Sequence, residues 1–165
     1  MSDYESHTHE FEPVYNRNSR VLILGTFPSV KSREQHFYYG HPQNRFWKVI
    51  AALTNAPVPA SIPEKKELLL SNGIAVWDVI ASCDIIGSSD TSIKNVIPAD
   101  IPAVLSNSSI KQIYGNGAKA CQLYDKYLLP KTNLPIQKLP STSPANAAFS
   151  LEKLIESWQV IVTPL

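Results

Sequence analysis

Residues 20–29 read RVLILGTFPS, and this stretch decides the fold. Val21 to Leu24 are four consecutive apolar residues closed by Gly25. So short and unbroken a run is the pattern of a strand buried on both faces, which requires helices packed on each side of its sheet. Working outward, Ile74-Ala75-Val76-Trp77 is a second such run and Ile110 to Tyr114 a third. Leu134 to Leu139 is a fourth, where Pro135 predicts an edge strand or a late start. Helical patterns fill the intervals. Phe46, Trp47, Ile50 and Leu53 recur at helical spacing. Ser61-x-x-Glu64 with Pro63 is a capping box, opening a helix that Gly73 can stop. A further helix runs through Ala120, Cys121 and Tyr124, and Ala148, Leu151, Leu154, Ile155 and Trp158 share one face of a last one. Strands alternating with helices predict a three-layer α/β/α domain around a central, mostly parallel four-stranded sheet.

A chain of 165 residues with 44% hydrophobic and 18% charged residues supports one domain, placed at residues 20–165, that needs no disulfide or metal staple. Residues 1–19, MSDYESHTHEFEPVYNRNS, show no sustained periodicity and are expected to form a polar lead-in. His7 and His9 are expected to be solvated there, since no further ligands gather near them to hold a metal. Two cysteines without Cys-x-x-Cys spacing make neither a disulfide scaffold nor a zinc site. No apolar run approaches the ~20 residues that span a bilayer, so the expectation is a cytoplasmic protein with no membrane partner. Lysine and arginine total 15 against 14 acidic residues. That balance excludes a protein held to nucleic acid by bulk charge, but not an enzyme with one basic face.

In an open parallel sheet, ligands bind beyond the carboxyl ends of the strands. Here those ends are Gly25 to Ser29, then Asp78, then Gly115-Asn116-Gly117, then Pro140 to Pro144. Phosphate-loop, dinucleotide-loop, serine-hydrolase and zinc-protease motifs are all missing. Cys83 is expected to be a buried thiol, although His41 could in principle activate it. The most unusual segment is residues 37–47, FYYGHPQNRFW. Two accounts of it stand side by side. Asn44 can simply cap the helix that starts there, with the aromatics as packing. Alternatively a planar ligand stacks on a tyrosine, with the Asn44 amide beside it and Arg45 near a phosphate. Ser141, Thr142 and Ser143, stiffened by Pro140 and Pro144, suit a phosphate, and they also suit a helix start with Ser143 as N-cap.

Taken together, Gly25-Thr26-Phe27-Pro28-Ser29, the run from Tyr39 to Trp47, Trp77-Asp78 and the run from Leu139 to Asn146 resemble the uracil-DNA glycosylase superfamily. More narrowly they resemble its hypoxanthine-DNA glycosylase branch. The resemblance implies hydrolysis of the N-glycosidic bond of a deaminated base flipped out of DNA, with no metal, no cofactor and no covalent intermediate. It implies DNA as the partner, in duplex or single strand, and a monomer is expected. Two departures from the family pattern matter. Phe27 stands where most members carry Asp or Asn, and Leu139 where they carry His or Asn. The resemblance therefore moves the catalytic amide to Asn44, orienting water near C1′. It makes Tyr39 the ring that stacks on the base and Phe27 a second apolar wall. Asp78 would read a purine edge or orient water, unless it only caps its turn. Ser29, Ser141 and Ser143 become phosphate contacts. Arg45 is expected on a phosphate or on an internal carboxylate. Rival readings are a uracil or thymine glycosylase acting at mismatches with guanine and a DNA-damage-binding module without chemistry.

Overall fold

The computed structural model describes residues 4–9, 11–35, 37–87 and 89–163. Four strands, β2 (Val21–Gly25), β3 (Ile74–Asp78), β6 (Gln112–Asn116) and β7 (Ile136–Leu139), form a parallel sheet in the order β3-β2-β6-β7. The sheet is the predicted one. β2 lies inside it and every one of its residues is buried, which is why its sequence does not alternate. β7 is an edge strand that starts one residue after Pro135, so both expectations attached to that proline hold.

Period-two geometry sends the β2 side chains to two separate cores. Val21 and Ile23 pack with Phe46, Trp47 and Ile50 of α2 (Phe46–Leu53), Leu69 of α3 (Ile62–Ser71), and Leu154 and Trp158 of α7 (Leu151–Trp158). Leu22 and Leu24 face the opposite side. There they meet Val104 of α4 (Ile101–Ser106) and Ala120, Leu123 and Tyr124 of α5 (Ala118–Tyr127). Burying each large side chain of this kind stabilises the domain by about 1.5–3 kcal/mol. The Ser61 hydroxyl accepts the Glu64 N–H at 3.2 Å, as a capping box requires. Gly73 ends that helix in the left-handed region at φ 70°, a conformation glycine adopts without strain. A six-residue helix, α1 (Val30–Gln35), and a single turn, α6 (Leu129–Thr132), complete the helical set.

A second sheet escaped the sequence reading. β1 (Glu5–Thr8), β4 (Ile80–Ile85) and β5 (Lys94–Pro98) pair antiparallel in the order β1-β4-β5. β1 and β5 are largely exposed, so they carry no hydrophobic signature and are held by backbone pairing. This sheet corrects the picture of the lead-in. Residues 1–3 and 10 lie outside the described residues, but residues 5–8 form a strand and Val14 exchanges two backbone hydrogen bonds with Val76. The N-terminal segment thereby covers the outer edge of β3, a place where unpaired backbone would otherwise be offered to other chains. His9 is corrected with it. Its side chain is only 3% exposed, not solvated.

Candidate active site

Gly25 closes β2, Asp78 closes β3 and Asn116 closes β6, so three neighbouring strands deliver their last residues to one rim. A cavity of about 220 Å³ opens there, room for one heterocycle and smaller than the usual site for a drug-sized ligand. Phe27, Ser29, Tyr39, Asn44, Asp78, Ser141 and Ser143 all line it. Arg45 does not.

Arg45 is the clearest correction. Among the described residues it reaches neither a carboxylate nor the cavity lining. Its guanidinium donates to the backbone carbonyls of Ser143 at 2.9 Å and Asn146 at 3.1 Å, and also to those of Phe149 and Thr142. Its backbone N–H donates to Thr142 as well, at 3.1 Å. With four of its five guanidinium donors given to carbonyls, Arg45 is a clamp that shapes the serine loop. Trp158 pins the same loop from the other side by donating its indole N–H to Pro140 at 2.9 Å. Residues 143–149 form turns, and α7 begins only after its N-cap Ser150, so Ser143 does not start that helix. The Ser141 hydroxyl accepts the Ser143 N–H and the Ser143 hydroxyl accepts the Ala145 N–H, which leaves both O–H groups available as donors. Ser29 is spent differently, on a cap of α1, accepting from the Ser32 N–H and donating to the Ser32 hydroxyl.

The orientation of Asn44 follows from a chain of hydrogen bonds. Thr142 N–H donates to Asn116 Oδ1 at 3.0 Å, which fixes the Asn116 amide. Asn116 Nδ2 then donates to the Thr142 hydroxyl, also at 3.0 Å, and that hydroxyl donates to Asn44 Oδ1 at 2.8 Å. Phe46 N–H donates to the same oxygen at 2.9 Å. Arg45, not Asn44, is the N-cap residue of α2, yet Asn44 still braces the helix start. Its oxygen serves the start of α2, and its amide nitrogen has no protein partner among the described residues. What Asn44 offers the cavity is a donor. Thr142, fully buried, was expected only as one of three hydroxyls suited to a phosphate, and Asn116 only as a strand end. A buried hydroxyl between two prolines was the available signal.

Asp78, 4% exposed, makes no bond to its turn, and its Oδ2 accepts from His9 Nε2 at 2.8 Å. Tyr39 sits in the left-handed region at φ 54°, strained for a tyrosine, with its ring stacked 4.0 Å from Phe46. Burial, with Asp78 close by, pushes its hydroxyl well above the ordinary tyrosine range, so it remains a donor. Cys83 is 2% exposed and burial pushes its thiol up to about 11, so a role as nucleophile is ruled out on access and on ionisation together. Among the described residues, no cluster of side chains could hold a metal ion.

Gly25 bears directly on the cavity. A Cβ built there would lie 2.4 Å from Asp78 Oδ1 and 3.2 Å from the Tyr39 hydroxyl. Gly25→Ala is expected to displace both groups and slow base processing by at least about tenfold, while affinity for an abasic duplex changes little. Single-turnover kinetics beside a binding titration check this.

A cavity with room for one heterocycle thus lies at the carboxyl rim of a parallel sheet, bordered by a hydroxyl-bearing loop. The profile of the Uracil DNA glycosylase superfamily matches residues 12–161. The chain belongs to that superfamily, a class of hydrolases acting on N-glycosyl bonds in DNA. A Methanosarcina acetivorans protein named hypoxanthine DNA glycosylase is 32% identical over 153 residues, covering 92% of this chain and 95% of its own. A Methanosarcina barkeri protein of the same name is 36% identical over 86 residues, 52% of this chain and 54% of its own length, so that match spans about half of the relative. A solution NMR structure from Methanosarcina acetivorans, described as a candidate uracil DNA glycosylase, superposes with a TM-score of 0.79 at 30% identity, covering 92% of this chain and 94% of that one.

Proposed function

We propose that this chain removes hypoxanthine from DNA by hydrolysing its N-glycosidic bond, and that Asn44 is the catalytic amide. The observation that carries the reading is the free Nδ2 of Asn44 in a cavity where Phe27, one of the lining side chains, has no polar group to contribute. A donor suits a purine leaving as an anion, where negative charge grows on its ring nitrogens and carbonyl oxygen. Orienting a water molecule through its oxygen is compatible with the same donor. Abstracting a proton from that water is not, because Oδ1 is already taken by two donors.

Tyr39 and Phe27 are the walls between which the base sits, and Asp78 faces its edge. Ser141 and Ser143 hold a DNA phosphate through their free hydroxyl hydrogens and Ser29 contributes only by capping α1. The partner is DNA with one nucleotide flipped into the cavity, since the reacting bond cannot be reached inside the stack. The enzyme acts as a cytoplasmic monomer without metal or cofactor. The location is supported by two free cysteines and by the fact that no helix among the described residues is long and apolar enough to cross a membrane.

Excision should be measured on labelled oligonucleotides carrying one inosine or one uracil, with alkali revealing abasic sites. Strong cleavage at inosine and weak cleavage at uracil is the expected result. The reverse preference would favour a mismatch uracil glycosylase. Tight binding with no cleavage of either would leave a damage-binding module.

A further inference from the structure

We propose that His9 is a positioning residue of this site. Its Nε2–H holds Asp78 Oδ2 and thereby presents Asp78 Oδ1 as the acceptor for a ring N–H of the flipped base. The inference rests on the excision reading above. It concerns a residue upstream of the matched stretch, which begins at residue 12.

Four observations carry it. The two side chains meet at 2.8 Å and are 3% and 5% exposed, so the pair is withdrawn from water. Burying a carboxylate is costly unless it is paired, and Asp78 makes no other hydrogen bond among the described residues to justify its place. Asp78 is also the only carboxylate lining the cavity among those residues. Oδ1 lies over Gly25, itself part of the lining, at a distance only a residue without Cβ permits.

His9 is held as a positioning group should be. Its backbone N–H donates to Ala81 at 2.6 Å, anchored by the adjoining β1–β4 pairing. Its ring packs against Phe11 at 4.3 Å and Tyr38 at 5.8 Å, and stands perpendicular to the pocket wall Phe27 at 6.1 Å. Tyr38 in turn donates its hydroxyl to the Glu12 carbonyl at 2.7 Å, closing the segment over the site. Nδ1 is buried without a partner among the described residues, so Nε2–Asp78 is the ring's one polar commitment among them.

The chemistry separates the deaminated purine from adenine. Hypoxanthine carries a hydrogen on N1, which a carboxylate oxygen accepts. Adenine presents a bare lone pair at N1, which the same oxygen repels and leaves the acceptor unmet. A fixed Oδ1 therefore admits hypoxanthine and rejects adenine, while guanine, which also carries a hydrogen on N1, is not distinguished by this contact.

The test uses the full chain as wild type, His9→Phe, His9→Gln, Asp78→Asn and the double variant His9→Phe/Asp78→Asn. Phe keeps the ring packing without the donor, and Gln keeps a donor near the Nε2 position. Single-turnover release of hypoxanthine should slow by about 10- to 100-fold in His9→Phe and in Asp78→Asn. The double variant should be no slower than Asp78→Asn, and His9→Gln should recover most of the rate. Affinity for a duplex with an abasic analogue, which has no base to read, should stay within about twofold. Full activity of His9→Phe, independent multiplying losses in the double variant, or equal loss of abasic affinity would each overturn the proposal. A wild type that releases no base would instead overturn the excision reading. The pair is then judged by equilibrium binding, where loss in His9→Phe of a wild-type preference for inosine- over adenine-containing duplex supports it and unchanged preference overturns it.

Discussion

Asn44→Asp should retain the fold and lose the reaction. The carboxylate of that variant still accepts from Phe46 N–H and from the Thr142 hydroxyl, so both internal bonds survive. What changes is the free end, where an amide N–H becomes a second acceptor oxygen. Removing one donor aimed at developing charge costs about 10²- to 10³-fold in turnover, and a carboxylate facing a departing anion adds repulsion. Asn44→Ala should lose as much activity and, unlike the aspartate, about 1 kcal/mol of stability through the lost bonds from Phe46 N–H and the Thr142 hydroxyl. Excision rates and melting temperatures for the two variants check both statements. An Asn44→Asp enzyme as fast as wild type would mean that Asn44 works as an acceptor toward water, and the donor assignment would fall.

Arg45→Ala should damage stability and DNA handling together. The guanidinium spans four carbonyls of residues 142–149 and so fastens α2 to the loop that carries Ser141 and Ser143. Hydrogen bonds to a charged group are worth about 1.5–3 kcal/mol each and are not additive here, so a total loss of about 2–4 kcal/mol is expected. For a chain of this size that corresponds to a fall of about 5–15 °C in melting temperature. Arg45→Lys should recover little, because one ammonium cannot reproduce a planar fork. Calorimetry and an abasic-duplex titration decide the matter. Wild-type stability with weakened, less salt-sensitive binding would return Arg45 to the phosphate role.

The parallel sheet was legible because burial on both faces leaves an unmistakable run such as VLIL at 21–24. The antiparallel sheet was not, because Glu5–Thr8 and Lys94–Pro98 are exposed and their pairing depends on backbone groups common to every residue. The rim of the site was legible for a similar reason: Gly25, Asp78 and Asn116 end three strands, and strand ends were the part of the pattern most securely read. Roles within the rim were less so. Arg45 next to Asn44 has the composition of a phosphate site, and only the path of residues 142–149 shows that carbonyls take up its hydrogens. His9 was hidden because its partner is 69 residues away, beyond the reach of any local pattern.

The β1 pairing also bears on how the chain matures during synthesis. Residues 5–8 leave the ribosome well before their partners, residues 82–85, and Val14 must wait for Val76. Contacts so far apart in sequence close late, after helices and nearer strands have formed. Through that interval the outer edge of β3 has no cover, and a segment made before its partners is among the last to find its place.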